Sequence, residues 1–348
     1  MTFNQLSHRR KNILTGEWVL VSPNRTKRPW QGKKEIKTKI NSINYDPDCY
    51  LCPGNLRVNN EKTPTYSDTY SFTNDFSALL DLRENNFKEG LLEAHSESGI
   101  CKVLCYSPNH SITIPLMSIN EILLVIKLWQ DEYKNLGSLK SINHVQIFEN
   151  KGEIMGCSNA HPHGQIWAQK RIPKEVEKKQ FHQKEYYKKN NTSLLLDYLN
   201  QELELRERII CENSSFLALI PYWAVWPFET MIIPKKQHKS ILSFSGNELV
   251  DYAKILKKLT TKYDNLFIND TLFPLGSLRE HKKGYSRADV IVVTGTPNPL
   301  LPLDEYRLRE QISPKFNQKV CFSFIKYLDP KSIFSNKTKI TRILISLS

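Results

Sequence analysis

Cys101-Lys102-Val103-Leu104-Cys105-Tyr106 and, past Pro108-Asn109, Ser111-Ile112-Thr113-Ile114 read as two β-runs; Ser118-Ile119-Asn120-Glu121 then forms a capping box that opens a helix. Ile122, Val125, Ile126 and Trp129 recur at helical spacing and supply that helix with a buried face, and it stops near Gly137. Ile142 to Phe148 starts another strand, which leads through a Gly-containing loop into His161 to Trp167. The order then recurs. Phe216 to Ile220 and Thr230 to Ile233 are β-runs around an aromatic segment, Ser245-Gly246-Asn247-Glu248 is a second capping box, and an amphipathic helix runs to about Tyr263. Strand, strand, capped helix appearing twice predicts an α+β fold built from a duplicated unit, with the charged, helical Pro173 to Arg208 region as connector. The second unit reads as incomplete: one strong β-run, Ala288 to Thr294, follows its helix, and then a Ser/Lys/Asn-rich end. A short β-run at Trp18 to Ser22 precedes a basic, Pro- and Gly-interrupted loop from Pro23 to Lys39.

The chain has 348 residues, 40% hydrophobic and 10% aromatic, enough to bury a substantial core over two domains. The net charge is +13, and residues 268–348 hold 13 Lys/Arg against 7 Asp/Glu, so nearly half of the excess sits in the tail. With no stacking motif beside it, that charge does not make nucleic acid the expected partner. No apolar run reaches a membrane-spanning length, and MTFNQLSHRRKN lacks a secretory h-region. Seven scattered cysteines read as reduced thiols and metal ligands rather than a disulfide framework. The expectation is a cytoplasmic protein without a membrane partner.

The sharpest chemical signal is His161-Pro162-His163-Gly164-Gln165-Ile166-Trp167. In extended backbone His161, His163 and Gln165 share a face, and Gly164 gives a ligand access to the main chain. The two histidines can both bind metal, or one can bind metal while the other acts as base or nucleophile, or both can stand on a surface turn. Cys49-Tyr50-Leu51-Cys52-Pro53-Gly54 is a zinc half-site needing two more ligands. Cys101 and Cys105, four apart on a β-run, fit a core, so His110 and His161 are the better complement. Arg25 and Arg28 beside Trp30 suit phosphate oxygens and a flat ring, or simply form a solvated face. The small, amide-rich loop from Phe148 to Asn159 can present N–H groups to phosphate or serve as a plain connection.

Taken together, SPNRTKRPWQG, DPDCYLCPGN, YSFTNDFSALL, CYSPNH, VQIFENKG, MGCSNAHPHGQIWA, PYWAVWPFET and KKLTTKYDNLF resemble the galactose-1-phosphate uridylyltransferases, in order and with consistent spacing over roughly Thr2 to Phe267. The resemblance implies a histidine-triad fold with antiparallel sheet in two related halves, a homodimer, and uridylyl transfer between UDP-glucose and galactose 1-phosphate. It implies His163 as the nucleophile and Gln165 as the phosphoryl-oxygen partner, where hydrolytic relatives carry a third histidine. It further implies substrate contacts from Arg25, Arg28, Asn74, Asp75, Asn150, Gly156, Cys157 and Ser158, and zinc on Cys49, Cys52, His110 and His161. The family's second metal site is not matched: Lys179 stands at its Glu position, and the only histidine after Lys239 is His281. Residues 268–330 resemble instead a piece of the lipid A (tetraacyldisaccharide) 4'-kinases, without a phosphate-binding loop. The expected organisation is therefore 1–173, the catalytic half; 174–267, connector and partial second half; and 268–348, a divergent tail in a chimeric chain. The alternative to an active transferase is a catalytically impaired UDP-sugar and zinc-binding chimera.

Overall fold

A computed structural model describes residues 5–24, 43–58, 60–81, 85–152, 155–157, 159–226, 228–268, 290–293 and 319–322. The strands are β1 (His8–Lys11), β2 (Trp18–Val21), β3 (Tyr70–Thr73), β4 (Asn86–Glu89), β5 (Leu92–His95), β6 (Gly99–Cys105), β7 (His144–Phe148), β8 (His163–Gln169), β9 (Ile209–Glu212), β10 (Phe216–Leu219), β11 (Met231–Pro234), β12 (Val290–Val293) and β13 (Lys319–Phe322). The helices are α1 (Ile119–Gly137), α2 (Lys174–Asn190), α3 (Leu194–Leu205) and α4 (Gly246–Ile268). Among the described residues no helix is long and apolar enough to cross a membrane. The chain forms two compact units, Met1–Asp264 and Asn265–Ser348.

In the first unit a four-stranded antiparallel sheet runs β3-β6-β8-β7. Its register sorts the side chains onto two faces. Leu104, Ile166 and Ala168 point to one side, where they pack with Ile122, Val125, Ile126 and Leu136 of α1. Cross-strand partners share a face, so the pairings Tyr70 with Cys105, Cys105 with His163, Phe72 with Val103 and Val103 with Gln165 align Tyr70, Phe72, Val103, Cys105, His163 and Gln165 on the other side. Helix α1 starts as its sequence predicts: Ser118 Oγ accepts from Glu121 N, and Glu121 returns the bond to Ser118 N.

A second antiparallel sheet runs β11-β10-β9. Strand β10 is buried on both faces. Phe216 and Ala218 meet Ile255 and Leu259 of α4, while Leu217 and Leu219 meet Leu194, Tyr198 and Leu199 of α3. Helix α4 also presents Ala253 to the α1 core, flanked by Leu249, Tyr252 and Leu256, so one helix closes both sheets. The connector is helical as expected, in two pieces joined through left-handed Asn191.

One expected strand is absent. Ser111 to Ile114 forms turns, because Ser111 is tied to Asn109 and Ile43 and the Thr113 carbonyl accepts from Leu116 and Met117. The β-run expected at Ala288 to Thr294 is β12 of the second unit, paired parallel with β13.

Candidate active site and metal centre

The turn carrying Cys49 and Cys52 is wound by its own backbone: Cys49 N donates to Asp46 O, Cys52 N to Cys49 O, and Asn55 Nδ2 to the carbonyls of both Asp46 and Cys49. Gly54, at φ +83°, turns the chain back so that its N–H reaches Thr63 O at 2.9 Å. His110 comes from the loop after β6, held by its N–H on Asn44 O. His161 stands just before β8, held by its N–H on Asn159 Oδ1 at 2.8 Å.

These segments bring Cys49, Cys52, His110 and His161 together, all four buried, with their ligand atoms within 4.8 Å of one another. Cys52 Sγ lies 3.5 Å from Nδ1 of both His110 and His161, and Cys49 Sγ lies 3.8 Å from His161 Nδ1. A tetrahedral ion bound by two sulfurs and two nitrogens would hold its ligand atoms about 3.4–3.8 Å apart, so the donor set fits one. The tautomer fits as well. His161 Nε2–H donates to Ser107 O at 2.8 Å, which leaves the Nδ1 lone pair facing the sulfurs. Burial pushes the His161 pKa down to about 4, favouring the neutral ring a ligand needs, and pushes the Cys52 thiol up to about 11, a cost that a bound cation would reverse. Asn159 Nδ2 sits 3.5 Å from Cys49 Sγ, so one amide touches both a thiol ligand and the backbone of an imidazole ligand.

His163 is the first residue of β8 on the face opposite α1. Its Nδ1–H donates to His161 O at 2.7 Å, which leaves Nε2 as the lone-pair nitrogen. The ring lines a recess of about 160 Å³ together with Gln165, Asn74, Asp75, Tyr50, Val58, Phe72, Phe76 and Val103. That volume is below the ~300–1,000 Å³ of a full ligand site, so the recess has room for only a portion of a larger ligand. A larger groove of about 650 Å³ lies by β11 and the start of α4 and contains none of the expected residues.

The recess thus unites His163, Gln165, Asn74 and Asp75. Asn150 follows β7, and Gly156, at φ +79°, and Cys157, whose thiol donates to Asn159 O, lie on the loop entering the His-Pro-His segment; none of the three lines the recess. Arg25, Arg28 and Ser158 fall outside the described residues. Gly164 is not the ligand approach expected of it. It belongs to the α1 face, where a Cβ would sit 2.8 Å from Tyr106 Cζ, so the glycine makes room for a core tyrosine. The apolar wall of Tyr50, Val58, Phe72, Phe76 and Val103 was not singled out in the sequence, although Phe72 alternates with Tyr70 in strand fashion.

Fold and site define a class: an α+β protein in which a buried Cys2His2 cluster able to hold a metal abuts a strand-borne histidine of fixed tautomer. Family comparison narrows it. The model for galactose-1-phosphate uridyl transferase, N-terminal domain, matches residues 1–173, and that for the C-terminal domain matches residues 177–288, so the second match runs past the 267 boundary expected from the tail. Galactose-1-phosphate uridylyltransferase of Haemophilus influenzae is 49% identical over 77% of this chain and 76% of its own length. The protein of that name in Saccharomyces cerevisiae is 46% identical over 78% of each. The crystal structure of an ADP-glucose phosphorylase from Arabidopsis thaliana shares the fold, with a TM-score of 0.58 at 23% identity over 76% of this chain and 80% of that one. The chain belongs to the galactose-1-phosphate uridylyltransferase family.

Proposed function

We propose that the protein transfers a uridylyl group between UDP-glucose and galactose 1-phosphate by double displacement through His163. Nε2 of His163 attacks the α-phosphorus of UDP-glucose, the bond from that phosphorus to the bridging oxygen breaks, and glucose 1-phosphate leaves. A phosphate oxygen of galactose 1-phosphate then attacks the uridylyl-histidine, giving UDP-galactose and restoring the imidazole. The observation that carries this reading is the 2.7 Å bond from His163 Nδ1–H to His161 O, which aims the lone pair away from the backbone and shares the positive charge that develops when Nε2 is phosphorylated. Gln165, two residues on and on the same face, offers an amide to the phosphoryl oxygens and no titratable group to activate water.

Asn74 and Asp75 take the ribose, Asn150, Gly156, Cys157 and Ser158 the phosphate side, and Arg25 and Arg28 the basic arm. Cys49, Cys52, His110 and His161 would hold zinc with four protein ligands, a structural set that would fix the segment whose carbonyl orients His163. The sheets read as two related halves of a histidine-triad fold, the first spanning 1–173, with 174–267 as connector and partial second half, in a cytoplasmic homodimer. The family match runs past the 267 boundary to residue 288, so the divergent tail of a chimera is proposed beyond it, and a continuous family ending found on resequencing would refute that.

The test is incubation with UDP-glucose alone. A uridylyl adduct on His163 with stoichiometric glucose 1-phosphate is the expected result. Metal-loaded protein giving neither adduct nor product would overturn the reading in favour of an impaired UDP-sugar binder.

A further inference from the structure

Three hydrogen bonds join the Cys2His2 cluster to His163, and all three are donated in one direction. His163 Nδ1–H donates to His161 O at 2.7 Å, His161 N–H to Asn159 Oδ1 at 2.8 Å, and Asn159 Nδ2–H to Cys49 Sγ at 3.5 Å. Asn159 is the one member of this run that is neither in the cluster nor on β8. Its orientation is fixed, because only the amide oxygen can accept from a main-chain N–H, and that turns the amide nitrogen to the sulfur. The main chain of Asn159 holds a further element. Its carbonyl accepts from the Cys157 thiol at 3.0 Å, and Cys157 N donates to Gly152 O at 3.3 Å, so the loop entering the His-Pro-His segment is drawn onto the same residue. Asn159 does not line the recess, so any effect on turnover passes through Cys49, His161 and the loop.

A thiolate bound to an ion is an electron-rich acceptor, and an amide N–H directed at it lowers the cost of burying its charge. Bonds donated head to tail reinforce one another: charge on Cys49 Sγ polarises the Asn159 amide, whose oxygen then holds the His161 N–H more firmly. The His161 residue is thereby fixed twice, by its ring in the cluster and by its N–H on Asn159. Its carbonyl is what orients the His163 ring.

We propose that Asn159 is a positioning residue that couples metal binding at the cluster to the ring of His163: its amide stabilises the Cys49 thiolate and, through the His161 main chain, holds His163 in the Nδ1–H tautomer. The consequence for turnover rests on the uridylyl-transfer reading; the coupling itself is a property of the metal-loaded protein and is measured without substrate. Without the amide, Cys49 loses a donor and His161 N–H an acceptor, so the cluster binds its ion less tightly and the His163 ring loses its single orientation.

The experiment compares the full-length wild type with Asn159→Ala and Asn159→Asp. Aspartate keeps an acceptor for His161 N–H but has no N–H for Cys49, and alanine keeps neither. Zinc and cobalt(II) affinities, from competition with a chelator, should fall about 10- to 100-fold in both variants, and the cobalt–thiolate absorption band should shift. With zinc filling the cluster in every protein, 15N spectra of histidine-labelled samples report the ring tautomer, the His163 signals being those lost in His163→Gly. They should show the Nδ1–H form in wild type and Asn159→Asp, and a mixture in Asn159→Ala. At the same zinc occupancy, kcat for glucose 1-phosphate release should fall about tenfold or more in Asn159→Ala with KM for UDP-glucose little changed, and Asn159→Asp should recover most of the loss. Wild-type metal affinity in both variants overturns the inference, and so does a wild-type His163 tautomer in zinc-saturated Asn159→Ala. A lowered unfolding midpoint with affinity and tautomer unchanged also overturns it, in favour of a purely structural asparagine. If Asn159→Ala does not fold, Asn159→Asp decides through its metal affinity, which must fall for the inference to stand. Absence of a uridylyl adduct in wild type would instead sink the transferase reading, while affinity and tautomer still decide the role of Asn159.

Discussion

His163 and His161 sit two residues apart and are turned different ways by two backbone carbonyls, those of His161 and Ser107. His161 turns Nδ1 toward the sulfurs because Ser107 O takes its Nε2 proton; His163 is left with a free Nε2 because His161 O takes its Nδ1 proton. Replacing His163 by glycine removes the proposed nucleophile without touching a ligand of the cluster. Glucose 1-phosphate release should fall on the order of 10³-fold or more, and the metal-to-protein ratio should stay unchanged. Activity surviving in that variant would mean that another group carries the uridylyl. The cluster of Cys49, Cys52, His110 and His161, and the shared face of His163 and Gln165, were legible in the sequence, because the Cys-x-x-Cys turn and the His-Pro-His strand are each set by neighbours a few residues away. Phe72 and Val58 were not legible: what matters about them is a meeting of the segment after the Cys-x-x-Cys turn with β3, fixed by tertiary packing rather than by local spacing.

At the scale of elements, the two capping boxes were readable and both are formed. Ser245 Oγ accepts from Glu248 N at 3.4 Å and donates to Glu248 Oε2 at 2.8 Å, and the same oxygen accepts from Ser245 N at 2.8 Å. Ser245→Ala should therefore cost about 1 kcal/mol in denaturant unfolding; because α4 closes both sheets, the loss should register in the whole transition of the first unit. Strand β8 makes a sharper case. Its residues His163 and Gln165 line the recess while Gly164, Ile166 and Ala168 face the α1 core, so Gly164→Ala adds a methyl against Tyr106 rather than against substrate. The cost should be about 1–3 kcal/mol of stability, with KM for UDP-glucose moving little; a large KM change at constant stability would count against that facing. The same alternation explains why Ser111 to Ile114 misled. Its Ser-Ile-Thr-Ile pattern is strand-like, but its neighbour His110 is drawn to the cluster and Asn109 and Ile43 take the Ser111 donors, so no ladder is available to it.

For the whole molecule, the cluster matters because its ligands come from three separate stretches, 49–52, 110 and 161, and meet as four buried polar side chains, whereas the second sheet is closed by the apolar contacts of α3 and α4. Losing the ion would leave two thiols and two imidazoles buried without it, and burial pushes the Cys52 thiol up to about 11, so that thiol would reprotonate and the ligands part. His161 would then drift, and with it the carbonyl that holds His163 in its tautomer. Chelation should accordingly do three things together: abolish uridylyl adduct formation, lower the unfolding midpoint, and raise amide hydrogen exchange in 43–63, 107–111 and 159–169 while 194–219 keeps its protection. Cys52→Ser should reproduce the pattern without chelator, and zinc added back to the stripped wild type should reverse it. Exchange rising equally across both sheets would mean that the ion supports the fold as a whole, and unchanged exchange with lost adduct would mean that it acts on the substrate directly; either outcome removes the argument that the cluster works by fixing the strand that bears His163.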